Sequence, residues 1–308
     1  MATMAPLPTN GARPRRSGLY LPGSNARAIE KARTLACDVV ILDLEDSVAP
    51  EAKPEARGRA AEAVRTGGFG SRELVMRVNG LDTPWGAGDL AAAAAARPDA
   101  VLVPKVNSPE DIAAYRKALG AGTPLWIMIE TCQAVFALDG LGRASGAERV
   151  DAWVIGTNDL VKEMRCRPGA DRGPLLPALA MSVMAARAHG LAILDGVYND
   201  IPDLEGLARE CAQGADLGFD GKSLIHPTHL ETANRAFSPE PQAVAWARTV
   251  AQAFDLAENA GKGVLKLEGR MVERLHLAEA RRLIAVAEAY APAALQAALA
   301  AARVTLGL

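Results

Sequence analysis

Short apolar runs recur along the chain, each closing on polar or charged residues and followed by an Ala-rich segment of helical spacing. The runs predict strands over Gly18–Leu21, Val39–Leu44, Glu73–Val78, Ala100–Val103, Leu125–Ile129, Ala152–Ile155, Leu191–Leu194 and Gly221–Ile225. Between them the pattern predicts helices over Ala26–Leu35, Pro54–Arg65, Trp85–Ala96, Pro109–Leu119, Cys132–Leu141, Leu175–Ala188 and Leu204–Gln213. An unbroken run such as Val39–Leu42 suits a strand buried on both faces, and strands alternating with helices imply right-handed crossovers in a parallel sheet. About eight such units fit an α/β fold of the (β/α)8 TIM-barrel type better than an open doubly wound sheet. The open sheet needs a Gly-rich phosphate turn after its first strand, and Pro22-Gly23-Ser24-Asn25-Ala26 is no GxGxxG.

After Phe237 the pattern changes. Pro239-Glu240-Pro241 opens a long helix through Glu258, Gly261-Lys262-Gly263 ends it, and the apolar stretch Val264–Leu267 leads into an Ala-rich helical C-terminus. The organisation predicted is a flexible tail over 1–15, a barrel over 16–237 and a C-terminal helical extension over 238–308 that serves as a lid.

Composition narrows the function classes. The chain of 308 residues is 50% hydrophobic but only 4% aromatic, so its core is one of Ala, Leu and Val. A net charge of −2 gives no electrostatic case for nucleic acid. No apolar run approaches the roughly 20 residues of a membrane span, and the first residues lack an apolar signal core. Cys37, Cys132, Cys166 and Cys211 have no CxxC spacing and read as the reduced thiols of a cytoplasmic protein.

The chemistry gathers at the predicted strand ends, where barrels of this type carry their active sites. In order these ends hold Asp43, Glu45 and Asp46, then Arg77, Lys105, Glu130, Asp159, Asp195 and Lys222. Like charges held beside a core repel, so a stabilising cation or a cationic partner is expected there. Hard oxygen donors without a Cys or His pair favour Mg2+ or Mn2+ over zinc. Glu130 and Asp159 are candidates for direct ligation, with the Asp43 cluster holding metal-bound waters. Arg77 ends an apolar strand, where a guanidinium needs a carboxylate or a substrate anion. His226 and His229, separated by a proline, read as strand-end hydrogen-bonding groups rather than as metal ligands.

Taken together, the motifs resemble the HpcH/HpaI aldolase and citrate lyase β-subunit family of CoA-ester lyases. The resemblance is carried by Arg16–Ser24, Asp43-Leu44-Glu45-Asp46-Ser47-Val48, Arg77-Val78-Asn79-Gly80, Pro104-Lys105-Val106, Ile129-Glu130-Thr131, Gly156-Thr157-Asn158-Asp159-Leu160, Gly218-Phe219-Asp220-Gly221-Lys222, Ile225-His226-Pro227 and Phe237-Ser238-Pro239. It implies a Mg2+-dependent barrel, assembled as a trimer or hexamer, that cleaves the C–C bond of a short β-hydroxyacyl-CoA such as malyl-, citramalyl- or citryl-CoA. By position Glu130 and Asp159 match the metal ligands and Arg77 the active-site arginine, with Glu45 and Asp46 beside it. Pro22, Gly23, Arg27 and Lys31 are expected near the pantetheine and phosphates of coenzyme A. The family's C-terminal acid/base Asp is replaced here by Glu273, in Gly269-Arg270-Met271-Val272-Glu273-Arg274-Leu275-His276. That segment resembles the malyl-CoA thioesterase branch, so the leading expectation of C–C cleavage has thioester hydrolysis as its alternative. A subunit of a citrate-lyase-type complex, acting on an acyl-carrier-protein thioester, is a third reading.

Overall fold

The structure, a computed structural model, describes residues 13–290. Eight strands close in sequence order into a parallel barrel: β1 (Ser17–Pro22), β2 (Val39–Asp43), β3 (Glu73–Arg77), β4 (Ala100–Val103), β5 (Leu125–Ile129), β6 (Val150–Ile155), β7 (Ala192–Asp195) and β8 (Gly221–Leu224). Ten helices belong to the same unit: α1 (Ala26–Ala32), α2 (Lys53–Thr66), α3 (Gly86–Ala96), α4 (Pro109–Leu119), α5 (Cys132–Phe136), α6 (Leu138–Ala147), α7 (Thr157–Met164), α8 (Leu176–Ala188), α9 (Leu204–Leu217) and α10 (Leu230–Ala236).

The middles of most strands are apolar because both faces are covered, while β8, Gly221-Lys222-Ser223-Leu224, is half polar. Val39 and Ile41 of β2 point into the barrel with Val75, Leu102, Trp126, Met128, Val154 and Leu194. Val40 and Leu42, one position along, pack outward against the helices with Ile29, Ala60 and Leu90. At the N-terminal end Trp126 is fully buried and Arg15 lies over its ring at 4.8 Å, while Arg15 also pairs with the buried Glu73 at 2.7 Å. The floor of the barrel is therefore filled. Helix starts follow local chemistry, as in α4, where Ser108 and Asp111 form a reciprocal capping box with Pro109 in the first turn.

Four departures from the predicted elements have physical causes. The helix expected over Cys132–Leu141 is two, α5 and α6, joined at Ala137 with φ −99° and ψ 4°, a break that neither proline nor glycine announces. Helix α7 occupies a stretch predicted only as a strand-end loop; Thr157, Leu160, Val161 and Met164 follow helical spacing, but over eight residues, barely two turns, the stripe is too short to stand out from a loop. Helix α10 follows His226-Pro227 in a stretch assigned no element, and it buries only Leu230 and Ala233. The expected tail also ends earlier than residue 15, because Arg15 is tied to Glu73; the first twelve residues lie outside those described.

The chain divides into two compact units, Arg15–Phe237 and the one that holds Ser238 onward. In the second, α11 (Pro241–Asp255) and α12 (Arg274–Tyr290) pack together with an antiparallel hairpin of β9 (Val264–Leu267) and β10 (Arg270–Glu273). The apolar stretch Val264–Leu267, expected to interrupt the helical extension, is the first strand of this hairpin. Glu268 at φ 47° and Gly269 at φ 79° make its two-residue turn, the left-handed pair that suits the twist of paired strands. Residues 291–308 of the expected extension lie outside those described. Among the described residues no helix is long and apolar enough to cross a membrane.

Candidate active site at the C-terminal end of the barrel

Strand register builds the site. Pro22 of β1 sits opposite Asp43 of β2, and Asp43 opposite Arg77 of β3, so three strand ends stand side by side. Arg77 Nε and Nη2 donate to Asp43 Oδ1 and Oδ2, both at 2.7 Å, a bidentate fork. Its Nη1 lies 3.3 Å from Asp46 Oδ2 and 2.9 Å from Glu45 Oε2, the latter without the angle of a hydrogen bond. The guanidinium also stacks on the ring of Tyr20 at 4.7 Å. Burial opposes the charge on Arg77, but Asp43, Tyr20 and Glu45 outweigh it and keep the guanidinium firmly protonated.

Asp43 corrects one expectation. Its Oδ1 also accepts the Glu45 N–H at 2.9 Å, and its Oδ2 accepts the Ser47 hydroxyl at 2.5 Å and the Ser47 N–H at 3.1 Å. Both oxygens are spent, so Asp43 is an anchor for Arg77 and for its own loop rather than a holder of metal-bound waters. Burial would raise its carboxyl, yet Arg77 and these donors hold it below the ordinary carboxylate value. Glu45 behaves oppositely. Burial pushes its carboxyl up to about 8, Arg77 pulls it down, and Asp46 and Glu130 push it further up. Among the described residues its Oε2 is buried without a hydrogen-bond partner.

Glu130 follows β5 and is 2% exposed. Its Oε1 accepts the backbone N–H of Lys105 at 2.7 Å. Burial pushes its carboxyl up to about 7 against the pull of that N–H and of the Lys105 ammonium. Asp159, on the first turn of α7 after β6, is partly exposed and lies 3.4 Å from Lys105 Nζ. Gly156 is what keeps the space beside Glu130 open, since a Cβ there would stand 2.5 Å from Glu130 Oε2. One cavity is lined by Asp43, Asp46, Arg77, Glu130, Gly156, Asn158 and Asp159 together with Tyr20, Met128, Val197 and Ile225.

Among the described residues no three Asp, Glu, His or Cys side chains converge as a ready metal cage. Mg2+ does not need one, since it typically takes one or two protein carboxylates and keeps several waters. A buried carboxylate with one oxygen on preserved open space, its ionisation opposed by burial, and a second carboxylate nearby make a donor set that suits such an ion.

The remaining expected residues fall elsewhere. Gly23 is buried, its N–H donates to the Asp43 carbonyl at 2.7 Å, and an added Cβ would meet Leu44 at 2.8 Å. The structure thus gives Gly23 a packing role, with Pro22 beside it at the strand end. Arg27 and Lys31 are exposed, one turn apart on α1. Glu273 is exposed at the end of β10, where its N–H donates to His276 Nδ1 at 2.9 Å. Asp195 and Lys222, both fully buried, pair at 3.1 Å and are joined by the buried Arg172 and the partly exposed Glu210. His229 Nε2 meets the Ile201 carbonyl at 3.1 Å and His226 Nδ1 the Thr228 hydroxyl at 2.8 Å, the hydrogen-bonding roles expected of them. Tyr20 was not singled out, because an aromatic inside a strand reads as core. Its parity with Gly18 and Pro22, opposite to the outward-packed Leu19 and Leu21, is the signal that points it inward.

Comparison with known proteins bears on the same residues. The family model described as HpcH/HpaI aldolase/citrate lyase matches residues 16–227. A (3S)-malyl-CoA thioesterase from Cereibacter sphaeroides is 48% identical over 280 residues, covering 91% of this chain and 97% of that protein. A citrate lyase subunit beta from Leuconostoc mesenteroides subsp. cremoris is 33% identical over 290 residues, with 91% and 95% covered. An L-malyl-CoA/beta-methylmalyl-CoA lyase, also from Cereibacter sphaeroides, is 33% identical over 310 residues, with 91% and 97% covered. Among solved structures, CitE from Mycobacterium tuberculosis in complex with magnesium, acetoacetate and coenzyme A superposes with a TM-score of 0.71 at 29% identity, covering 88% of this chain and 97% of that one. With a family model spanning most of the barrel and relatives matched over nine-tenths of its length, the chain belongs to the HpcH/HpaI aldolase/citrate lyase family.

Proposed function

We propose that the protein hydrolyses a short β-hydroxyacyl-CoA thioester of the (3S)-malyl-CoA type, with Glu130 and Asp159 holding Mg2+, or Mn2+ in its place. The observation that carries hydrolysis ahead of C–C cleavage is the difference in likeness, 48% identity to a malyl-CoA thioesterase against 33% to a malyl-CoA lyase. When bound, the ion supplies Lewis-acid polarisation and neutralises the carboxylates around it. Arg77, fixed by Asp43 and Tyr20, aims its charge at the oxygen of the thioester as negative charge gathers there. Glu45 Oε2, buried and free of a hydrogen bond, is the atom that takes the proton from an attacking water. Asp46 screens Arg77 on the solvent side. Arg27 and Lys31 face the phosphates of coenzyme A and Pro22-Gly23 the pantetheine.

C–C cleavage remains the second reading, because Arg77 would serve a thioester enolate equally well. The C-terminal unit as a lid, Glu273 as an acid/base group, trimeric or hexameric assembly and a cytoplasmic location belong to the same reading of the resemblance. Incubation with malyl-CoA and Mg2+, following free thiol and glyoxylate in parallel, separates the reactions. Thiol with malate is the expected result; glyoxylate with acetyl-CoA would establish the lyase instead. Activity on the free CoA ester also counts against the acyl-carrier-protein reading. Glu130→Gln should abolish the metal-dependent turnover, and retention of it would defeat the ligand assignment.

A further inference from the structure

Lys105 carries a burden that no role assigned so far explains. It follows β4 with φ 52°, a left-handed backbone that a lysine adopts only when its surroundings hold it there. What holds it is Glu130, whose Oε1 accepts its N–H at 2.7 Å. That posture sends the side chain across the mouth, where Nζ stands 3.4 Å from Asp159 Oδ2 and 3.7 Å from Glu45 Oε1. One ammonium thus bridges two carboxyl groups, Glu45 from the loop after β2 and Asp159 from α7 after β6. Its stem is about half exposed, so the group is free to leave.

We propose that Lys105 is a placeholder cation, holding Glu45 and Asp159 in position and yielding that place when a divalent ion binds. This rests on the assignment of Glu130 and Asp159 as ligands. The backbone and side chain then divide the work: the N–H orients Glu130 in either state, while the ammonium balances the carboxylates only until the ion arrives. A dication and an ammonium cannot both sit against Asp159 at such distances without repulsion, so the side chain swings outward and becomes available to an anionic group of the substrate.

The test uses Mn2+ alone as the probe, followed on the full chain by the electron paramagnetic resonance signal of the free ion. Lys105→Met should bind Mn2+ about three- to fivefold more tightly, the competition that a half-exposed ion pair exerts. Lys105→Arg, which keeps the charge, should bind no more tightly than the parent. Unchanged or weaker binding by a folded Lys105→Met would overturn the proposal, and Lys105→Gln supplies the same readout if the Met variant does not fold. Glu130→Gln in the same titration separates the two ideas. If it leaves Mn2+ binding intact, the ligand assignment has failed; if it abolishes binding while Lys105→Met gives no gain, only the placeholder has.

Discussion

Arg77 shows how much one side chain is asked to do. Its fork closes on Asp43, its third nitrogen turns toward Glu45 and Asp46, and its face rests on Tyr20. A lysine would keep the charge but lose the fork and the stacking surface. Arg77→Lys should therefore lower kcat by about a hundredfold, the cost of misplacing one donor to a developing oxyanion, with the far-UV spectrum unchanged. A drop confined to KM would assign Arg77 to substrate binding alone. Arg77 and Glu130 were legible in the sequence because a charge directly after an apolar run has no cheap structural use. Asp159, set off from its run by three residues, was legible through the strand-end pattern and the resemblance of Gly156-Thr157-Asn158-Asp159-Leu160. The φ of Lys105 and the saturation of Asp43 were not, since backbone posture and the sharing of hydrogen bonds arise only when distant strand ends meet.

Between elements, the close approach of β5 and β6 is what shapes the site. Gly156 lies at φ −98°, a backbone open to any residue, so its value is the missing side chain. An alanine would place its Cβ 2.5 Å from both Glu130 Cβ and Oε2, and the carboxylate would have to move. Gly156→Ala is expected to cost at least about tenfold in kcat/KM and about 1–3 kcal/mol in stability, because the clash with Glu130 Cβ is not relieved by turning the carboxylate alone. Loss of folding in that variant, seen as a missing thermal transition, would show the glycine to be structural instead. The order of the barrel strands was readable from hydrophobic period and length. Helices α7 and α10 were not, since at seven or eight residues a helical stripe spans only two turns and cannot be told from a loop, and the α5–α6 break falls at Ala137, without a breaker residue.

Across the whole molecule, the network of Asp195, Lys222, Arg172 and Glu210 ties β7, β8 and α9 to the segment that precedes α8. Burial opposes the charge on Asp195, but Lys222 and Arg172 hold its carboxyl below the ordinary value of 3.8. A depressed folded value means stability that is complete above the unfolded value and lost as pH falls through the folded one. Unfolding by urea should thus show a loss beginning below about pH 4 that Asp195→Asn reduces, the share due to Asp43 persisting. At neutral pH the same variant leaves Lys222 and Arg172 to share Glu210 as their one carboxylate and should be less stable by about 3–5 kcal/mol. Equal stability of the two proteins at pH 7 would mean that the network relaxes around the loss.

The floor closed by Trp126 and Arg15 has a consequence for traffic. Below the site the barrel is packed with side chains rather than hollow, so nothing reaches the cavity from that end. An ion resting against Glu130, itself almost sealed from solvent, would be shut in behind any thioester that followed it. The order of arrivals and departures is then written into the architecture of the barrel, independently of how tightly each visitor is held.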